Sequence, residues 1–70
     1  MSALVKRSFA LSGHRTSVAL EPEFWSVLTV EATRRQLSLA GLVAALDATR
    51  DPDRPLASAL RVYALHATKT

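Results

Sequence analysis

The chain has 70 residues, a formal net charge of +3, and no cysteine. One domain of this length buries only about 60% of the surface that its unfolded chain exposes, so it needs some further support. Disulfides and thiolate metal sites are excluded, and the two histidines lie far apart without other ligands nearby, so oligomerisation is the expected support.

Neither a membrane span nor a secretion signal is expected. No apolar run approaches the ~20 residues that a spanning helix needs. The N-terminal segment MSALVKRSFALSG lacks an apolar stretch of the length that a signal peptide requires. We therefore expect a cytoplasmic protein that does not bind membranes.

The segment HRTSVAL alternates between two sets of side chains, which is typical of a β-strand. One set becomes apolar toward its end and is expected to enter a core, and the other is small and polar. Residues 7–11 alternate more weakly, so residues 1–13 are predicted to be a basic N-terminal arm or an outer strand. Residues 1–20 contain three cations and no acid, so an anionic partner is expected at this end.

Three helices are predicted after the strand, from their caps and prolines. They run from Pro22 to about residue 35, from the N-cap Ser38 to near Arg50, and from Pro55 onward. The chain is accordingly divided into residues 1–13, a core at 14–50, and a linker with a C-terminal helix at 51–70.

An enzyme is not expected from this sequence. Neither His14 nor His66 has a neighbour in sequence that would make a catalytic dyad or triad. Asp47, Asp51 and Asp53 do not follow the ligand spacing of a calcium loop. We therefore expect no catalytic residue, no metal site and no cofactor.

A lone strand can satisfy its backbone groups by pairing antiparallel with the same strand of a second copy. The resulting two-stranded ribbon fits into the major groove of B-DNA. The helices would then cover its inner face and form a dimer core. The residues predicted for that core are Val18, Leu20, Phe24, Leu28, Leu42, Val43 and Leu46.

The stretch RTSVALEPEFWSVLTVEATRRQLSLAGLVAAL resembles the ribbon-helix-helix superfamily of Arc, CopG and MetJ type repressors. The span from Lys6 to Ala67, with GHRTSVALE, FW, LSLAGLV and LASALRVYAL, resembles a short bacterial subgroup of these proteins. The resemblance implies a mainly α fold with a short β-strand. It also implies an intertwined homodimer with an intermolecular antiparallel ribbon, to which a C-terminal helix is added here.

The function that this resemblance implies is sequence-specific binding of double-stranded DNA by a transcriptional regulator, with the ribbon in the major groove. The base-contacting residues carried over from the family are Arg15, Ser17 and Ala19. The family also anchors phosphates with backbone amides at the start of the second helix, which here are those of Ser38 and Leu39. Lys6, Arg7 and His14, which lie before or at the start of the strand, are expected to add phosphate contacts. Where the family often has glycine between the helices, this chain has Gln36, which predicts a less favourable backbone conformation there.

An alternative is an antitoxin or adaptor, built on the same dimer, that holds a protein partner with its third helix. This alternative is motivated by the apolar character of residues 56–67. The simpler interpretation is that the third helix docks on its own dimer.

Overall fold

The computed structural model of the protein describes residues 3–69. In chain order the elements are β1 (Val5–Leu11), β2 (His14–Leu20), α1 (Pro22–Arg34), α2 (Leu39–Thr49) and α3 (Leu56–Ala67). The strands form a two-stranded antiparallel sheet, and the helices pack against it and against one another. The predicted strand at 14–20 and the three predicted helices are confirmed.

A two-residue turn, Ser12–Gly13, connects β1 to β2. Their φ angles are 49° and 84°, and positive φ at both central positions is typical of a type I′ turn. This turn twists in the same sense as paired strands, and it is therefore favoured in hairpins. It places Leu11 opposite His14 and so sets the register of the whole sheet.

The ribbon of this structure lies within one chain, because β1 pairs with β2 along its full length. The sequence predicts that residues 14–20 pair with a second copy, since residues 7–11 alternate only weakly. The alternation is weak because Arg7 occupies an inner-face position between Val5 and Phe9, where the pattern calls for an apolar residue. The two-stranded ribbon itself is therefore intramolecular, and pairing of β2 with the same strand of a second copy stays a prediction.

The hydrophobic core lies between the inner face of the ribbon and the helices. Its buried members are Phe9, Leu11, Val18, Leu20, Trp25, Leu28, Ala32, Leu42, Val43, Leu60 and Ala64. Five of the seven residues predicted for a dimer core are among them, and the other two, Phe24 and Leu46, pack against the cluster while partly buried. These residues are thus buried within a single chain, and their place in a dimer interface stays a prediction.

Trp25 of α1 fastens the start of β1 to the helices. Its indole Nε1 donates a hydrogen bond of 2.7 Å to the carbonyl oxygen of Val5. Its ring lies 5.9 Å from that of Phe9, centroid to centroid, and the side chain is buried. β1 is therefore held at one end by the turn and at the other by Trp25.

Gln36 follows the C-terminus of α1 and has a positive φ of 61°. The sequence predicts an unfavourable conformation for this non-glycine residue. Its N–H bonds to the carbonyl of Thr33, and the N–H of Leu37 bonds to that of Ala32. These two bonds form a Schellman motif, in which glycine normally occupies the left-handed position. The expected unfavourable conformation is confirmed.

Helix α3 docks on α1, α2 and β2 of its own chain. Leu60 and Ala64 are buried at the centre of this contact. At its edge, Arg61 Nε lies 3.1 Å from Glu21 Oε1. The apolar side of α3 is therefore used inside the fold.

Replacing Gln36 with glycine should stabilise the protein. The left-handed conformation costs a non-glycine residue about 1–2 kcal/mol, and part of that cost is offset by the greater freedom of glycine in the unfolded chain. We expect urea titrations to show a gain of about 0.5–1 kcal/mol in the free energy of unfolding. The control Gln36→Ala keeps the Cβ and should show no comparable gain.

Truncating Leu60 to alanine should destabilise the protein by about 2–5 kcal/mol, because it opens a cavity in the core. Leu65 lies on the same helix with 53% of its surface exposed, and Leu60 is fully buried. Thermal or urea unfolding of Leu60→Ala and the matched control Leu65→Ala checks this. Equal losses in the two variants would contradict the described docking of α3.

Candidate nucleic-acid interface

Alternate residues of the ribbon point away from the helices and form what we call the outer face. It consists of Lys6, Ser8 and Ala10 on β1 and Arg15, Ser17 and Ala19 on β2. All six are exposed except Ala19, which is half-buried. The short side chains leave the backbone of the ribbon open to a close approach along this face.

The register of the hairpin orders these residues in three cross-strand pairs. Lys6 lies opposite Ala19, Ser8 opposite Ser17, and Ala10 opposite Arg15. At the centre, the hydroxyl oxygens of the two serines lie 2.9 Å apart and share a hydrogen bond. The two cations therefore lie at diagonally opposite ends of the face, with the hydroxyl pair between them.

The charge of the ribbon is entirely positive. Residues 1–20 contain no aspartate or glutamate, and the first acids in the chain are Glu21 and Glu23. Glu21 forms an ion pair with Arg61. A small cationic surface without acids attracts a polyanion and does not repel it on close approach.

The outer face also carries groups that can distinguish bases. Arginine and lysine bind the O6 and N7 acceptors of guanine, and serine donates to or accepts from several bases. Alanine can contact the methyl group of thymine. This combination allows base recognition as well as attraction to phosphate.

The residues predicted to contact phosphate are dispersed over the fold. Lys6 lies on the outer face with Arg15, but its neighbour Arg7 lies on the inner side, with its guanidinium 5.5 Å from the centroid of the Trp25 ring. His14 is exposed beside the turn. Lys6 and Arg7 thus belong to opposite faces, because neighbouring residues of a strand point in opposite directions.

Ser38 caps the N-terminus of α2. The Ser38 hydroxyl oxygen accepts a hydrogen bond of 2.9 Å from the N–H of Gly41. Ser38 is exposed and Leu39 is half-buried. The N–H groups of a first helical turn lack partners within the helix and carry partial positive charge, which suits an anion.

Ser8 and Ala10 were missed by sequence reasoning, and Lys6 was assigned to phosphate only. All three lie on the outer face because β1 pairs with β2. The signal that could have found them is a repeat: KRSFAL at 6–11 and RTSVAL at 15–20 share serine, alanine and leucine at matching positions.

A second polar cluster surrounds Glu31 of α1. Its carboxylate accepts hydrogen bonds from Arg34 at 2.7 and 2.9 Å and from the Tyr63 hydroxyl at 2.9 Å. The Arg34 guanidinium, and next the Tyr63 hydroxyl, lower the pKa of Glu31 from 4.5 to about 2. An ionised and fully bonded carboxylate is a poor general base, and the cluster is best explained as a link between α1 and α3.

Two structural features are absent from residues 3–69. No three histidine, cysteine, aspartate or glutamate side chains in this range lie close enough to hold a metal ion. Among the same residues, no helix combines the length and the apolar character that crossing a membrane requires.

Comparison with known proteins adds one match. A family model described as a ribbon-helix-helix domain matches residues 4–68, a span that includes both strands and all three helices. No curated protein and no solved structure matches the chain.

The Glu31 cluster predicts how stability depends on pH. Because the pKa of Glu31 is lowered to about 2 in the folded protein, its ionised form stabilises the fold above pH 4.5. That contribution should be lost as the pH falls from 4.5 through 2. Urea midpoints measured across this range should fall less steeply for Glu31→Gln than for the wild type. Glu23→Gln, which changes an exposed carboxylate, is the control and should keep the wild-type slope.

Proposed function

The chain belongs to the ribbon-helix-helix domain family, and we propose that it is a sequence-specific DNA-binding protein that regulates transcription in the cytoplasm. Members of this family are typically DNA-binding regulators or antitoxins, generally without enzymatic activity, and they typically dimerise. The proposal assigns the outer face of the ribbon to the major groove of double-stranded DNA.

The observation that carries this proposal is the chemistry of the outer face. Lys6 and Arg15 are exposed there together with the Ser8–Ser17 hydroxyl pair, and no acidic residue lies on either strand. Two paired strands lie about 4.8 Å apart, and the major groove is about 12 Å wide, so the ribbon fits between the phosphate backbones. Arg15, Ser17 and Ala19 are the proposed base contacts on β2.

Phosphate contacts would then orient the ribbon in the groove. We assign them to the backbone amides at Ser38 and Leu39 and to the exposed side chain of His14. The capped N-terminus of α2 supports this assignment, because free N–H groups and the helix dipole both favour a phosphate there. Such contacts set position and orientation and carry no sequence information.

The proposed assembly on DNA is a homodimer, with higher-order binding of adjacent dimers as an extension. A second copy would place a second ribbon on the duplex and enlarge the contacted site. The ribbon does not depend on that copy, since both its strands belong to one chain. A solution mass of one chain, about 7.6 kDa, would therefore contradict the dimer but leave the ribbon intact.

The antitoxin or adaptor alternative gains no support from α3. Its apolar residues Leu60 and Ala64 are buried against α1, α2 and β2 and are not open to a protein partner. The simpler interpretation, in which α3 docks on its own protein, is supported within one chain. DNA binding is therefore the function that the geometry favours.

Replacing Arg15 with alanine should weaken binding to a preferred DNA site by about 1–3 kcal/mol, because it removes a bidentate base contact. Fluorescence anisotropy with a labelled duplex, selected from random sequence by the wild type, measures this loss. Arg54→Ala is the matched control: it removes the same charge from an exposed residue of the α2–α3 linker. Equal affinities of Arg15→Ala, Arg54→Ala and the wild type would refute the assignment of Arg15.

A further inference from the structure

The two strands of the ribbon contain a short repeat, with identical residues at three of six matching positions. KRSFAL in β1 and RTSVAL in β2 are nine residues apart, and they match at serine, alanine and leucine. Their first residues, Lys6 and Arg15, are both cations. In an antiparallel pair, such a repeat creates an approximate two-fold axis perpendicular to the sheet.

The observed register places this axis at the Ser8–Ser17 pair. Rotation about it exchanges Lys6 with Arg15 and Ala10 with Ala19, because Lys6 lies opposite Ala19 and Ala10 lies opposite Arg15. The inner face follows the same relation: Phe9 and Leu11 exchange with Val18 and Leu20, and all four are buried. The core and the outer face therefore share one approximate symmetry.

We infer that one chain presents a complete, nearly two-fold symmetric base-reading surface, in which Lys6, Ser8 and Ala10 read bases together with Arg15, Ser17 and Ala19. The inference rests on the proposed function and extends it to β1. Each chain would recognise a short, nearly palindromic DNA sequence, since two-fold symmetry in a protein surface is matched by two-fold symmetry in its site.

The dimensions of the surface agree with such a site. Lys6 and Ala10 are four residues apart along β1, which corresponds to about 13 Å at about 3.3 Å per residue. Base pairs are stacked about 3.4 Å apart, so the surface spans about four of them. The two cations would lie over the outer base pairs, where guanine is the favoured partner of each.

The serine pair has a distinct role at the centre of the site. Each hydroxyl has one hydrogen to donate, and the bond between the two oxygens uses one of the two hydrogens. One donor remains, and either serine can supply it. The serine pair can therefore donate a hydrogen bond to an acceptor on either DNA strand at the central position.

The test is a comparison of base discrimination among single variants of both strands. A preferred duplex is first selected from random sequence with the wild-type protein. Competition anisotropy then measures how strongly each variant prefers that duplex over duplexes with one base pair changed. The variants are Lys6→Ala, Ser8→Ala, Arg15→Ala and Ser17→Ala, with Lys69→Ala and Arg54→Ala as exposed controls of the same charge change.

We expect a roughly 5- to 150-fold loss of discrimination at one position for each ribbon variant, and none for the two controls. Ser8→Ala and Ser17→Ala should relax the same central position. Lys6→Ala and Arg15→Ala should relax positions on opposite sides of it. Lys6→Arg should shift the preference toward a fully palindromic duplex that repeats the half read by Arg15, and this gain cannot come from misfolding.

A different pattern overturns the inference. If Lys6→Ala weakens all duplexes equally and Ser8→Ala changes no position, while Arg15→Ala and Ser17→Ala relax specific positions, only β2 reads bases. The proposed function then stands without its extension to β1. If the wild type discriminates among no duplexes, sequence-specific DNA binding fails, and this inference fails with it.

Discussion

The register of the β1–β2 pair is the constraint on which both surfaces of the ribbon depend. Side chains of a strand alternate with a period of two, so a slip by one residue would turn the buried set outward and the basic set inward. Two features fix the register. The Ser12–Gly13 turn lies at one end of the hairpin, and the hydrogen bond from Trp25 to the Val5 carbonyl lies at the other. The core and the proposed DNA surface are thus positioned by the same pairing.

A 70-residue chain without disulfides can bury only a small hydrophobic core, and the helices complete it. α3 supplies Leu60 and Ala64 to it. Polar contacts join α3 to the N-cap of α1, through Arg61 and Glu21, and to the last turns of α1, through Tyr63 and Glu31. Composition predicted oligomerisation as the support for this core. Among residues 3–69, the hairpin and the three helices bury eleven apolar residues within one chain, and oligomerisation stays a prediction.

Much of the fold could be predicted because its signals are local. Pro22 and Ser38 marked the helix starts, and Gln36 marked the strained turn. β1 was harder to predict because Arg7 interrupts its apolar face, and the ring of Trp25 that accommodates this arginine is eighteen residues away in sequence. Without β1, the outer-face positions of Ser8 and Ala10 could not be inferred.

The repeat within the hairpin also affects how the sequence of this protein can evolve. In a ribbon made from two identical chains, every substitution appears twice, and both halves of the DNA site must change together. Here β1 and β2 are encoded separately, so a substitution in one strand changes only the half of the ribbon that this strand supplies. Lys6 and Arg15 already differ at matching positions of the repeat. Under the proposed function, this ribbon could acquire an asymmetric target by single substitutions.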